Sequence, residues 1–298
     1  ARSLRALGVQ PGDRVVAYLP NIEETVVALL ATVSIGAIWA IAPPEFGVPT
    51  VIDRFSQIKP KVLIATDGYC FGGKTIDRRR DLEQIVGALD SLEHVIHIPY
   101  IGLGRGTRLP VIQHEWSDIL TSGSASAKDF RYERVGSDHP LWILFSSGTT
   151  GLPKPIVHSH IGIIMEHLKN GALHTNSNPE TISFFYTTTG WMLFNTLVSV
   201  LLQGATAVLY DGSPSFPDIG KLWSIADTTG ATITGASPGL VEVMAKHGYV
   251  PKNHHDLSRI RTLLTSGAPA SPETFRWLYE NVTSDVVGGD GQVPSVSQ

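Results

Sequence analysis

The sequence is poor in cysteine, and Cys70 is the single thiol among its 298 residues. One cysteine excludes an intramolecular disulfide framework and favours a reducing compartment, so we expect a cytoplasmic protein. Cys70 is followed by Phe71, a setting more typical of a packed thiol than of a catalytic nucleophile.

Long uninterrupted apolar runs and an excess of one charge are also missing. The longest apolar stretches, 26–42 and 191–210, are broken by glycine and polar residues. They therefore predict buried helix–strand pairs and not membrane spans. The formal net charge is −4, and the densest basic run is three arginines at 78–80. These features give no basis for a nucleic acid or a membrane as a partner.

Short apolar, strand-like runs alternate with helical segments along most of the chain, and the charged stretch 75–89 is predicted as one of the helices. This alternation predicts an α/β fold with two βαβ-type, mostly parallel sheets flanked by helices. Residues 102–140 interrupt the rhythm, because they are rich in glycine and serine and contain no strong strand. We therefore predict a first α/β subdomain at 1–135 and a second one at 136–298.

The most informative stretch is LWILFSSGTTGLPK at 141–154, where a buried strand runs directly into small and hydroxylated residues. Backbone N–H groups, hydroxyls and a cation suit a polyphosphate, and glycines let the backbone approach it closely. The spacing differs from the Walker pattern. An ordinary turn is the alternative for GTTG alone, whereas the full run SSGTTGLPKP favours an anion site.

Two further loops, at 187–191 and 266–269, also follow apolar strands directly. Ligands of open α/β sheets bind at the carboxyl ends of the strands. We therefore expect all three loops to lie at the same edge of one sheet and to form a nucleotide site. His158 and His160 are spaced i and i+2 without a third ligand cluster, so no metal-binding side chains are expected.

At these residues the sequence resembles the adenylate-forming superfamily, which includes acyl-CoA synthetases, luciferases and peptide-synthetase adenylation domains. SSGTTGLPK resembles its phosphate-binding signature, and SGAP at 266–269 resembles its adenine-contacting turn. TTTGWM at 187–192, together with YDGSP at 210–214, is most similar to the acetoacetyl-CoA synthetase branch. The resemblance implies the large N-terminal domain of an acyl-CoA synthetase, incomplete in this chain.

The resemblance also implies a two-step, AMP-forming ligase reaction. A carboxylate attacks the α-phosphate of ATP to give an acyl-adenylate and pyrophosphate, and the thiol of CoA then displaces AMP. The small-molecule substrates would be acetoacetate, ATP and CoA, with Mg²⁺ bridging phosphate oxygens. The implied catalytic residues are Lys154, Thr149 and Thr150. The implied nucleotide contacts are Ser146, Ser147, Gly148, Gly151, Gly267, Ala268 and Pro269. Lys74 would contact CoA, and the acyl pocket would be bordered by Trp191, Met192 and Leu193.

The family's mobile C-terminal domain, with its catalytic lysine, has no counterpart in these 298 residues. We therefore expect a fragment that retains partial ATP binding and is inactive by itself. Two alternatives stay open: a ligase similar to acetyl- or propionyl-CoA synthetases, and a non-catalytic nucleotide-binding remnant.

Overall fold

The computed structural model describes residues 1–106, 108–122, 127–146 and 151–283. The chain forms two compact units. The first unit comprises Ala1–Ile164 and Thr188–Met192, and the second comprises Met165–Thr187 and Leu193–Gln298. Each contains parallel strands and helices, so the predicted α/β fold with mostly parallel sheets is confirmed.

The first unit is built around a seven-stranded sheet and carries a separate two-stranded hairpin. Its strands are β1 (Arg14–Tyr18), β2 (Ile38–Ala42), β3 (Val62–Thr66), β4 (Gly68–Phe71), β5 (Lys74–Asp77), β6 (His94–Ile98), β7 (Ile112–Glu115), β8 (Pro140–Ser146) and β9 (Lys154–Ser159). The helices that begin in it before residue 165 are α1 (Arg2–Ala6), α2 (Glu23–Val33), α3 (Val48–Ile58), α4 (Arg79–Gly87), α5 (Trp116–Ser122) and α6 (His160–Lys169).

The seven strands lie in the order β7-β6-β3-β1-β2-β8-β9. All neighbours are parallel except β8 and β9, which are antiparallel. Every residue of β2, β3 and β6 is buried. Successive side chains of a strand point to opposite faces, so burial of consecutive residues means that both faces of the sheet are covered.

Helix α3 illustrates how the sequence builds this unit. It has a proline in its first turn and ends at Lys59, which adopts a left-handed conformation with φ of 49°. Its buried residues, Val51, Phe55 and Ile58, are spaced by four and three positions and therefore share one face. This face packs into the same apolar core as Ile143 of β8.

The second unit contains a smaller, four-stranded parallel sheet in the order β11-β10-β12-β13. Its strands are β10 (Ile182–Ser183), β11 (Thr206–Ala207), β12 (Ile233–Gly235) and β13 (Thr262–Leu264), and its helices are α7 (Met192–Ser199), α8 (Lys221–Thr229), α9 (Pro238–Lys246) and α10 (Pro272–Asn281). Buried Phe184, Trp223 and Met244 belong to its core. The indole N–H of Trp223 donates to Sδ of Met244 at 3.2 Å.

The division between the units differs from the boundary predicted near residue 135. Strands β8 and β9 belong to the first sheet, because Trp142 of β8 pairs in parallel with Trp39 of β2. The first unit therefore continues to Ile164. The interrupting stretch 102–140 also contains strand β7, which pairs in parallel with β6.

The helix predicted for 75–89 begins later than the sequence indicated. Strands β4 and β5 form an antiparallel hairpin that pairs Phe71 with Lys74. Between them Gly72 and Gly73 have φ of 57° and 75°, values that suit a two-residue hairpin turn. Helix α4 therefore starts only at Arg79. In the described part of the chain, no helix combines the length and apolarity needed to cross a membrane.

Gly235 makes a testable contribution to the second sheet. A Cβ at this position would overlap the carbonyl oxygen of Leu264 on the neighbouring strand, whereas a Cβ at Gly239 in α9 would meet nothing within 4 Å. We expect Gly235→Ala to lower the free energy of unfolding by about 3 kcal/mol, because backbone has to move. Gly239→Ala is the control, expected to raise it by up to about 1 kcal/mol. Urea unfolding measures both, and equal stability of the two variants would contradict this packing.

Candidate active site

The loop whose sequence resembles a phosphate-binding signature connects the two strands of a β-hairpin. Strands β8 and β9 are antiparallel, and Ser146, the last residue of β8, pairs with Lys154, the first residue of β9. Directly paired residues place their side chains on the same face, so Ser146 and Lys154 face the same side where the loop begins and ends. Lys154 is exposed. Ser147, Gly148, Thr149 and Thr150 lie outside the described residues.

Gly151 is the one predicted glycine of this loop that the structure describes. It is exposed, and a Cβ on it would meet no described atom within 4 Å. The packing of the described residues therefore gives no reason for glycine here. Close approach of a ligand to the backbone would give one.

The hairpin is fixed further along by Trp142 and His158, which pair across β8 and β9. The indole N–H of Trp142 donates to Nδ1 of His158 at 3.0 Å. Because an indole nitrogen can only donate, this Nδ1 must be unprotonated. Burial lowers the pKa of His158, which favours the same neutral form. His158 therefore serves the hairpin as a hydrogen-bond acceptor.

The segment Thr188–Met192 also belongs to the first unit, although it follows a strand of the second. The hydroxyl of Thr189 is buried and donates to the carbonyl oxygen of Leu19 at 2.7 Å. A Cβ on Gly190 would lie 2.7 Å from Cδ of Pro43, so only glycine fits without displacing this contact. Trp191 and Met192 are 66% and 62% exposed, which leaves both apolar side chains accessible to a ligand.

These contacts place two predicted site segments at one edge of the seven-stranded sheet. Leu19 and Pro43 directly follow β1 and β2, and the hairpin loop directly follows β8. The three strands are adjacent and parallel, so their carboxyl ends meet at the same edge. Within the first unit, the structure thus brings the Ser146–Lys154 pair and Trp191 to the same side, where ligands of such sheets bind.

Tyr18 is a residue of this edge that sequence reasoning missed. Its side chain is fully buried, and its hydroxyl lies 3.0 Å from the carbonyl oxygen of Pro44 and 2.8 Å from that of Phe46. Burial raises the pKa of Tyr18, which keeps the phenol protonated as a donor. Tyr18 thereby holds the turn after β2 against which Gly190 packs. A tyrosine directly after the apolar run Val15–Ala17 was the available signal.

The prediction that all three loops follow strands of one sheet was wrong. Strand β8 lies in the seven-stranded sheet, whereas β10 and β13, which precede the loops at 187–191 and 266–269, lie in the four-stranded sheet. The reason is again the parallel pairing of β8 with β2.

The remaining predicted residues lie elsewhere. Gly267, Ala268 and Pro269 are exposed in the second unit, and Gly267 has a left-handed φ of 97°. Leu193 also belongs to the second unit. Lys74 is exposed at the start of β5, in the hairpin that follows β3. In the described ranges no group of three His, Cys, Asp or Glu side chains is placed to hold a metal ion.

Comparisons with known proteins agree on one kind of enzyme. A family model described as AMP-binding enzyme matches residues 1–292. Acetoacetyl-CoA synthetase of Danio rerio is 40% identical over 293 residues, which are 97% of this chain and 44% of that protein. Malonamoyl-CoA synthetase of Penicillium aethiopicum is 34% identical over 302 residues, 95% of this chain and 42% of that protein.

A solved structure is similar over the same extent. Acetoacetyl-CoA synthetase from Streptomyces lividans matches with a TM-score of 0.87 and 49% sequence identity, covering 94% of this chain and 42% of that one. The chain thus spans less than half the length of the relatives it matches.

The buried hydroxyl of Thr189 can be tested by an isosteric change. Thr189→Val should lower the free energy of unfolding by about 1–3 kcal/mol, because the carbonyl oxygen of Leu19 loses its described side-chain donor. Thr229→Val is the control, since the described bonds of that hydroxyl stay within its own helix, to Ile225 and Ala226. Urea unfolding of both variants provides the measurement. Equal effects would mean that the Thr189 hydrogen bond does not hold the segment in place.

Proposed function

The chain belongs to the AMP-binding enzyme family, and we propose on this premise that it carries substrate-binding parts of an ATP-dependent acetoacetate–CoA ligase. In this reaction the carboxylate of acetoacetate attacks the α-phosphate of ATP, and pyrophosphate leaves. The thiol of CoA then attacks the acyl carbon, and AMP leaves. The observation that carries the proposal is the Ser146–Lys154 pair at the ends of the loop, at the same sheet edge as Trp191.

The hairpin supplies the binding of the phosphates. The peptide N–H groups and hydroxyls of 146–151 would donate to the β- and γ-phosphate oxygens, with Thr149 and Thr150 among the donors. Lys154 would add a positive charge at the point where the loop returns to the sheet. Its position is set by pairing with Ser146, so this charge is held near the phosphates before they bind.

The acid is assigned to Trp191, Met192 and Leu193. Exposure of the first two side chains leaves apolar surface that a small acid can cover. Gly267, Ala268 and Pro269 are assigned to the adenine, and Lys74 to a phosphate of CoA. These assignments follow the family resemblance, and exposure of Gly267 and Lys74 is compatible with them.

Enzymes of this family generally use ATP together with Mg²⁺, yet the described residues contain no carboxylate cluster that could bind the ion. We therefore assign no step of the reaction to a metal held by this chain. A cytoplasmic location belongs to the same proposal and is compatible with a single cysteine, Cys70, which is exposed and not packed as its sequence setting indicated.

The phosphate assignment predicts that Lys154→Ala weakens ATP binding by about tenfold or more, because a charge-assisted contact is lost. Isothermal titration calorimetry on the full-length protein measures the affinity for ATP. Lys246→Ala removes another exposed lysine, from α9, and is the control, with no change expected. The same affinity for Lys154→Ala and the unaltered protein would refute the assignment.

One relative is named malonamoyl-CoA synthetase. Its acid, malonamate, has a carbonyl group at the third carbon, as acetoacetate does. A ligase for other acids of this shape is therefore the second candidate. Acetate and propionate lack that carbonyl and would cover less of Trp191 and Met192.

The relative kcat/KM values of different acids separate these candidates. We expect kcat/KM for acetoacetate to exceed that for acetate and propionate by about tenfold or more, because the longer acid makes more contacts in the site. Adenylate formation by the full-length protein with each acid, including malonamate, gives the comparison. Equal values for acetate and acetoacetate would contradict the proposed acid, and a higher value for malonamate would favour the second candidate.

A further inference from the structure

Helix α3 contacts the end of the proposed phosphate-binding loop. The side-chain amide of Gln57 donates to the carbonyl oxygen of Pro153 at 2.9 Å. Its nitrogen is also 2.6 Å from the carbonyl oxygen of Asp53, one helical turn earlier, so the amide is oriented from within the helix. Pro153 immediately precedes Lys154. The hydrogen bond therefore fixes the backbone directly beside the cation assigned to the phosphates.

The same helix contacts the other end of the loop through Arg54. Its guanidinium carbon lies 5.9 Å from the ring centre of Phe145, the residue before Ser146. It also lies 4.9 Å from the ring centre of Phe46. Nη1 of Arg54 donates to the carbonyl oxygen of Thr50 at 2.8 Å, which holds the guanidinium against its own helix. A guanidinium over two aromatic rings makes cation–π contacts, in which arginine occurs more often than lysine.

Phe46 connects this support to the segment assigned to the acid. A Cβ on Gly190 would lie 3.2 Å from Cζ of Phe46, so the backbone beside Trp191 is packed against that ring. The turn that carries Phe46 is held by the buried hydroxyl of Tyr18. One aromatic ring thus contacts both Arg54 and the Gly190 backbone.

We propose that Arg54 and Gln57 are positioning residues for the ligase reaction, through which α3 holds both ends of the phosphate-binding loop. Arg54 orients Phe145 at the beginning of the loop, and Gln57 orients Pro153 at its end. Through Phe46, Arg54 also supports the segment of Trp191. Fixing Phe145 and Pro153 holds the described ends of the loop in place before ATP binds. This inference rests on the proposed function of the loop.

The first test changes Gln57, which is exposed and can be replaced without disturbing the core. Gln57→Met keeps the length of the side chain and removes its donors. In the full-length protein we expect KM and Kd for ATP to rise between about two- and tenfold, with KM for acetoacetate unchanged, since a hydrogen bond of this kind contributes modestly. Gln84→Met is the control, because Gln84 is exposed on α4 and its described side-chain hydrogen bond goes to Arg80 of its own helix.

The second test changes Arg54, which contacts Phe145 and Phe46 together. Arg54→Met should raise KM for ATP and for acetoacetate, each by about threefold or more, because both segments lose support. Arg54→Lys should recover part of each loss. Thermal unfolding of the variants monitors the fold, and a purely structural role would lower the melting temperature without changing either KM.

The outcomes separate this inference from the proposed function. If Lys154→Ala weakens ATP binding while Gln57→Met and Arg54→Met leave both KM values unchanged, the positioning role is wrong and the phosphate assignment stands. If the unaltered protein does not bind ATP, both are overturned. A rise in KM for ATP in Gln57→Met but not in Gln84→Met supports the role of α3.

Discussion

The pairing of strand β8 is the constraint on which the candidate site depends. On one side β8 joins the parallel sheet next to β2, and on the other it turns back into β9. The parallel pairing places the end of β8 at the edge where ligands of open α/β sheets generally bind. The antiparallel pairing returns the chain at once and sets Lys154 opposite Ser146. With β2 alone, the start of the loop would be placed at the sheet edge but its end would not be set. With β9 alone, the two ends would be paired but not placed at that edge.

The edge beside β8 is held by polar groups that are buried but satisfied. Tyr18 is fully buried, and an unpaired phenol there would cost stability. Its hydroxyl instead reaches the turn after β2, and the hydroxyl of Thr189 reaches the carbonyl oxygen of Leu19 after β1. Hydrogen bonds are directional, so these two contacts specify positions that apolar packing alone would leave adjustable. The segment of Trp191 is therefore held by contacts that are both buried and directional.

The sequence predicted the features that depend on local patterns. Buried parallel strands such as β3 are continuous apolar runs, and the loop after β8 has a specific composition. It did not predict β7, whose residues Ile112–Glu115 are largely polar and lie at the edge of the sheet. Nor did it predict that β8 belongs to the first sheet, since the Trp39–Trp142 pairing joins residues far apart in sequence and leaves no local signal. The hairpin before α4 did have such a signal, in Gly72 and Gly73 between two short strands.

The support of the loop by α3 follows from the same geometry. The buried face of this helix is fixed in the core by Phe55 and Ile58, so Arg54 and Gln57, on the flank next to that face, have little freedom to shift along the hairpin. One rigid helix contacts the chain on both sides of the loop, at Phe145 and Pro153. A displacement of α3 would move both ends together and preserve their spacing, whereas loss of either contact would change it. The spacing of the two described ends therefore depends on the two contacts separately, and their place at the sheet edge depends on β8.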